Sequence, residues 1–67
     1  MELIELPAPV KACRGRMMQA DVRKRAALAE YRMWRDAGLR SLAATAMLSA
    51  WRNHRDYMAH RRALVRS

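Results

Sequence analysis

The sequence predicts an all-α protein, and three observations support that fold class. Thirteen alanines and twelve arginines, both strong helix formers, occur among the 67 residues. The two glycines and two prolines lie near predicted helix boundaries. Most clearly, an apolar stripe runs from Leu39 to Val65 along one half of a helix that turns about 100° per residue. We predict a helical hairpin with helices at about residues 16–36 and 39–65, preceded by an extended N-terminal arm.

Residues 1–9 are expected to form this arm. Pro7 and Pro9 favour an extended backbone, because proline disfavours the helical conformation in the residue before it. Pro9 also suits the first turn of a helix, but Gly15 weakens such a turn, so the predicted start is near Arg16. The apolar residues of the arm either fray with the terminus or dock on the helices or on a partner, and the sequence leaves both alternatives open.

The first predicted helix carries two apolar stripes, separated by charged residues on both sides. One stripe consists of Met18, Val22, Ala26, Ala29 and Met33. The other consists of Ala20, Ala27, Tyr31 and Trp34, with Met17 and Leu28 beside it. A helix with two apolar faces contacts two neighbours, and a hairpin partner covers only one of them. We therefore expect a homodimer in which two hairpins form a four-helix bundle.

The break between the helices is predicted at residues 36–38, which have the sequence Asp-Ala-Gly. Glycine is common just past a helix end, where the backbone turns left-handed. A single unbroken helix from Arg16 to Val65 is the competing arrangement, because a mid-helix glycine costs only about 1 kcal/mol. The hairpin is favoured because the apolar arc is too wide for a two-stranded coiled-coil seam.

The second predicted helix has small residues on its packing face near its start and bulky ones near its end. Small side chains allow close approach of two helices, so tight packing is expected near the turn and splaying towards the C-terminus. The residues expected at the dimer packing surface are Met18, Val22, Ala43, Ala46, Met47 and Ala50.

The charge is strongly positive and unevenly distributed. The formal net charge is +8, and residues 39–67 hold six arginines but only one acidic residue, Asp56. Arginine also makes up twelve of the fourteen basic residues, and its guanidinium group suits carboxylates and phosphates. This composition predicts an anionic partner: an acidic protein surface first, with nucleic acid as the alternative. Membrane binding is disfavoured, since the longest uncharged helical stretch is about half a membrane span.

No pattern in the sequence indicates catalysis, a cofactor or a metal. Glycine-rich phosphate loops, nucleophile–base sets and paired carboxylates are missing from the sequence. His54 and His60 are six residues apart and point to different faces of a helix, so they are not expected to share a metal. The single cysteine, Cys13, and the acidic N-terminus favour a reduced, cytoplasmic protein over a secreted one.

The expected function is stoichiometric binding to a protein partner, as a small non-enzymatic regulator or inhibitor. Aromatic, methionine and arginine residues are typical of such recognition surfaces. The residues expected to contact the partner are Trp34, Trp51, Tyr57, Met58 and Arg61. The arginine- and alanine-rich composition is typical of a GC-rich bacterial or bacteriophage genome, so the partner is expected to be a bacterial transcription regulator or machine component.

Direct DNA or RNA binding through the outer face of the second helix is the alternative function. The residues that would serve it are Arg52, Arg55, Arg62 and Arg66. A helix-turn-helix motif is disfavoured, because Trp34 occupies a position where that motif needs a small residue and the following helix is too long.

Overall fold

A computed structural model describes residues 8–66 as two helices, α1 (Ala8–Asp36) and α2 (Arg40–Arg66). The helices are antiparallel, since Cys13 near the start of α1 contacts His60 near the end of α2. The described chain measures 52 × 24 × 14 Å, and its smallest dimension is close to the diameter of one helix, about 10–12 Å. The predicted all-α hairpin is therefore confirmed, and the single unbroken helix is excluded.

Helix α1 begins at Ala8, so the predicted start near Arg16 is wrong. Proline is tolerated in the first helical turn, where its missing N–H has no intrahelical partner to lose. Gly15 does not end the helix because residues on both sides of it, including Cys13, continue to pack against α2. Ala8 and Pro9, assigned above to the arm, belong to α1, and the rest of the predicted arm lies outside the described residues.

The turn between the helices is a Schellman motif. The N–H of Leu39 donates to the carbonyl of Trp34 at 2.9 Å, and the N–H of Gly38 donates to the carbonyl of Arg35 at 3.0 Å. Gly38 has a φ of 76°, in the left-handed region that glycine adopts without steric cost. Leu39 then provides the first carbonyl of α2, so Ser41 lies inside the first turn of that helix. The predicted break is therefore confirmed, and the bounds of α2 match within one residue.

The contact between the helices follows a heptad pattern, with alternating spacings of three and four residues on each helix. In α1 the seam positions are Val10, Cys13, Met17, Ala20, Lys24, Ala27, Tyr31 and Trp34. In α2 they are Ala43, Ala46, Ala50, Asn53, Tyr57, His60 and Leu64. Every one of these residues is buried or half-buried. The opposite side of α2 is exposed throughout and consists of Ser41, Thr45, Ser49, Arg52, Arg55, Asp56, Ala59, Arg62 and Arg66.

Five alanines form the buried core of the described chain. Ala20 and Ala27 from α1 meet the α2 residues Ala43, Ala46 and Ala50, and each is only 4–6% exposed. Beyond Ala50 the seam positions of α2 are half-buried, as expected from the bulkier residues there. A methyl-sized group contributes about 0.8 kcal/mol when buried, so this core stabilises the hairpin modestly.

The seam covers only one of the two apolar stripes of α1. It takes the stripe that contains Ala20 and Ala27. The other stripe, which we call the outer stripe, is exposed along its length: Met18, Val22, Ala26, Ala29 and Met33. Met18 and Val22 each lie two residues, or about 200° of rotation, from Ala20, so the outer stripe is on the side of α1 facing away from α2.

The two glycines are expected to respond to alanine substitution in opposite directions. Gly15→Ala should raise the free energy of unfolding by about 0.5–1 kcal/mol, because alanine favours helix and no atom lies within 4 Å of the added Cβ. Gly38→Ala should lower it by about 1 kcal/mol, because an L residue is strained at that φ. Urea denaturation at one protein concentration, followed by circular dichroism, measures both. Shifts in the same direction would contradict this account.

The alanine seam is expected to reject larger side chains. Ala46→Leu should lower the free energy of unfolding by about 1–3 kcal/mol, because the added carbons have no space between the helices. The matched control is Ala44→Leu, at an exposed position two residues away on α2, which should change it by no more than about 0.5 kcal/mol. Equal effects of the two substitutions in urea denaturation would show that the seam is not closely packed.

Candidate functional site

An apolar groove lies along one side of the seam, where large side chains border the small ones. Its volume is about 290 Å³, and it is lined by Lys24, Leu28, Met47, Ala50, Trp51 and His54. We call it the Trp51 groove. Trp51 is 59% exposed, so most of its indole is available to another molecule. The groove forms because the small side chain of Ala50 lies between larger side chains on both helices.

Lys24 brings a charged group to the edge of this mainly apolar groove. Its Nζ lies 3.2 Å from Nδ1 of His54 and 5.9 Å from the ring centroid of Tyr57. An ammonium group only donates, so the contact with His54 is a hydrogen bond when Nδ1 carries no proton. The His54 ring in turn meets Trp51 edge-on, with centroids 6.3 Å apart. These contacts link α1 to α2 and orient the Trp51 side chain at the edge of the groove.

A second depression extends the Trp51 groove towards the turn and shares Met47 with it. It is lined by Tyr31, Arg35, Gly38, Arg40, Ala43, Ala44 and Met47. The guanidinium carbon of Arg35 lies 5.5 Å from the ring centroid of Tyr31, within the range of a cation–π contact. Arg35 also contacts the carboxylate of Asp36 at 3.4 Å, which neutralises part of the charge at this end.

A third depression lies on α2 and shares His54 with the Trp51 groove. It is lined by Arg52, His54, Arg55, Asp56, Met58, Ala59 and Arg62. The three connected depressions are called the Trp51 face below. On this face, Asp56 is the only acidic residue among the lining residues that the structure describes, against five arginines and Lys24. The face therefore combines an apolar, aromatic centre with cationic ends.

The five residues predicted to contact a partner do not form one cluster. Trp51 and Met58 line the Trp51 face, whereas Trp34 is half-buried beside the turn. Tyr57 is half-buried in the seam against Lys24. Arg61 is exposed but is not among the residues that line the three depressions. Trp51 and Met58 are therefore the two predicted residues that border the Trp51 face.

The predicted arginine row lies along one side of α2, whereas the predicted dimer surface is divided by the structure. Arg52, Arg55 and Arg62 line one depression, with Arg66 exposed at the end of α2. The predicted dimer residues fall into three groups. Ala43, Ala46 and Ala50 are already buried in the seam of one chain, Met47 borders the Trp51 groove, and Met18 and Val22 lie on the outer stripe.

Sequence reasoning missed three pairings between the helices. Lys24 contacts His54, Leu28 and Met47 line the same groove, and Cys13 contacts His60. The Sγ of Cys13 lies 3.3 Å from the backbone oxygen of His60, near the open end of the hairpin. The signal that would have revealed these pairs is the heptad spacing of the two helices. Polar residues at several heptad positions obscure it in a search for apolar periodicity.

The described residues offer no metal site and no membrane span. Histidine, cysteine and acidic side chains do not form any group of three that would hold a metal ion within residues 8–66. Neither α1 nor α2 contains a stretch apolar enough and long enough to cross a bilayer.

Comparison with known proteins gives no match, whether to a protein-family model, a curated protein or a solved structure. The chemistry of the exposed side chains is therefore the basis on which a function can be proposed.

The two tryptophans are expected to differ in solvent access. In the Trp34→Phe variant, the remaining Trp51 should emit at longer wavelength and be quenched strongly by acrylamide, because most of its indole is exposed. In the Trp51→Phe variant, the half-buried Trp34 should be quenched less. Fluorescence quenching of both variants, with circular dichroism to confirm folding, makes the comparison. Stronger quenching of Trp34 would place the accessible aromatic surface at the turn instead.

Proposed function

We propose that this protein is a small, non-enzymatic regulator or inhibitor that binds an acidic protein surface stoichiometrically. The observation that carries the proposal is the exposed Trp51 beside an apolar groove with arginine at both ends. Tryptophan and arginine are enriched among the residues that dominate the binding energy of protein interfaces, and such residues cluster near the centre of the interface. Occupying a surface requires no chemistry from the binder, which suits a chain without a catalytic signature.

The charge around the groove supports an acidic partner. Arg35 and Arg40 lie at the turn end, and Arg55 and Arg62 lie at the other end. An apolar segment with acidic flanks would place its apolar side chains against Leu28, Met47 and Trp51 and its carboxylates near these guanidinium groups. Arginine pairs with carboxylates in a bidentate geometry, which adds orientation to the attraction.

The proposal includes a homodimer with four helices. The outer stripe of α1 is apolar and uncovered in a single chain, and Val22 within it is 66% exposed. Contiguous apolar surface of this kind marks association sites in soluble proteins. The alanines of the seam are already buried, so the second copy contacts α1 rather than the start of α2.

Direct nucleic-acid binding is the second candidate function, favoured by the depression that Arg52, Arg55 and Arg62 share on α2. Arg66 extends the row at the C-terminal end of the helix. Binding of this kind depends steeply on salt, because each neutralised phosphate releases a counterion. Both candidates are proposed to act in the cytoplasm of a bacterial or phage-infected cell, consistent with a single free thiol and an arginine-rich composition.

The probe for the main proposal is a synthetic amphipathic helical peptide with leucine on one face and glutamate on the flanks. We expect it to bind, and Trp51→Ala to weaken binding by at least about tenfold, because truncating a hot-spot residue costs about 2 kcal/mol or more and a factor of ten is about 1.4 kcal/mol. Leu42→Ala is the matched control on α2, exposed but outside the Trp51 face, and should leave affinity within about twofold. Fluorescence anisotropy of a labelled peptide measures the affinities.

Short duplex DNA and RNA serve as the competing probes in the same assay at low and moderate salt. The nucleic-acid alternative is favoured if a duplex binds more tightly than the peptide at moderate salt and if Trp51→Ala does not weaken duplex binding. Loss of duplex binding at moderate salt, with peptide binding retained, supports the protein-binding proposal.

A further inference from the structure

We infer that the outer stripe of α1 is covered by the same stripe of a second copy, with the two α1 helices antiparallel and a two-fold axis at residue 26. The inference rests on the proposed homodimer and specifies its face, direction and register. It also sets the helix order of the assembly as α2, α1, α1, α2, because the outer stripe faces away from α2.

The apolar residues of the outer stripe suit an antiparallel pair. A methionine lies near each end of the stripe, and a two-fold axis at residue 26 brings Met18 of one copy within one residue, about 1.5 Å, of the level of Met33 of the other. Val22 is equally close to the level of Ala29 of the second copy, and Ala26 lies beside its own counterpart. The small residues meet at the crossing, where helices must approach most closely, and the flexible methionines fill the ends.

The charges beside the stripe have a centre of symmetry only one residue further along α1 than that of the apolar residues. Arg23 and Glu30 lie along one edge of the stripe, and the midpoint between them falls between residues 26 and 27. Asp21 and Arg32 lie along the other edge, with the same midpoint. In antiparallel packing each edge faces itself, so the dimer contains two Arg23–Glu30 pairs and two Asp21–Arg32 pairs.

Asp21 is already 3.2 Å from Arg25 in its own chain, so Arg32 of the second copy adds a second cation to an existing contact. Residues of one surface that pair with each other across a two-fold axis are the defining property of an isologous interface. Two independent charge pairs with one centre therefore specify the register of the α1 pair.

The other arrangements of two copies are less favourable in charge. In a parallel α1 pair opposite edges face each other at the same height, so Arg23 of one copy would lie two residues from both Asp21 and Arg25 of the other, and no two opposite charges would be level. Pairing through the Trp51 faces would bring the five arginines of each copy together, including Arg55 and Arg62. Like charges across an interface suppress association. In the antiparallel outer-stripe pair the two copies of Arg25 lie near the axis, each paired with Asp21 of its own chain, and the Trp51 face stays free.

Cysteine cross-linking tests the register. In a Cys13→Ser background, Ala26→Cys should form a disulfide-linked dimer on oxidation, because two residues beside the axis come within the Cα separation of about 7 Å that a disulfide allows. Val22→Cys is the matched control at the centre of the outer stripe. Its two copies would be about 12 Å apart along the helices in the antiparallel pair, so it should not cross-link, whereas a parallel pair would bring them level.

Charge reversal provides an independent test by sedimentation equilibrium. Glu30→Arg should weaken dimerisation roughly tenfold, because it replaces two attractive surface pairs with repulsive ones. Arg23→Glu combined with Glu30→Arg should restore it. Circular dichroism of each variant confirms that the hairpin remains folded.

The outcomes separate the register from the homodimer itself. Cross-linking at both positions would indicate a parallel pair. A dimer that neither cysteine cross-links, and whose stability charge reversal does not change, would place the interface elsewhere. Each of these results overturns the inferred register but keeps the homodimer. A folded monomer at micromolar concentration in every variant and in the natural sequence would overturn both.

Discussion

The alanine seam between α1 and α2 is the constraint on which the rest of the molecule depends. Methyl groups at positions 20, 27, 43, 46 and 50 allow the two helices to approach closely, but they leave no interior for large side chains. Leucine, methionine and tryptophan therefore lie at the edges of the seam or on the outer surfaces of the helices. The exposed groove and the exposed outer stripe are thus direct results of how the core is built.

Charge distinguishes the two exposed apolar surfaces. The Trp51 face is bordered by arginines with Asp56 as its acidic lining residue, so an anionic molecule is the partner we propose for it. The outer stripe has both signs of charge beside it, in an order that is complementary to its own reverse, so a second copy of the chain is the partner we propose for it.

The helical hairpin, its turn and the division of α1 into two stripes could be predicted, because helix propensity, Gly38 and apolar periodicity are local signals. The start of α1 could not, since the packing of Cys13 against α2 overrides the local effect of Gly15. The groove was also beyond local reasoning. It needs the relative register of two helices, and that register is obscured by Lys24, Asn53 and His60 at positions where a heptad is expected to be apolar.

The Trp51 groove opens on one side of the hairpin only, and in the inferred assembly this has a geometric consequence. A two-fold axis perpendicular to a flat row of four helices leaves both copies of the groove on the same side of that row. The assembly is then bivalent towards a single extended ligand or a repetitive surface. Two linked contacts raise the effective concentration of the second, so modest affinity at each groove would become strong avidity.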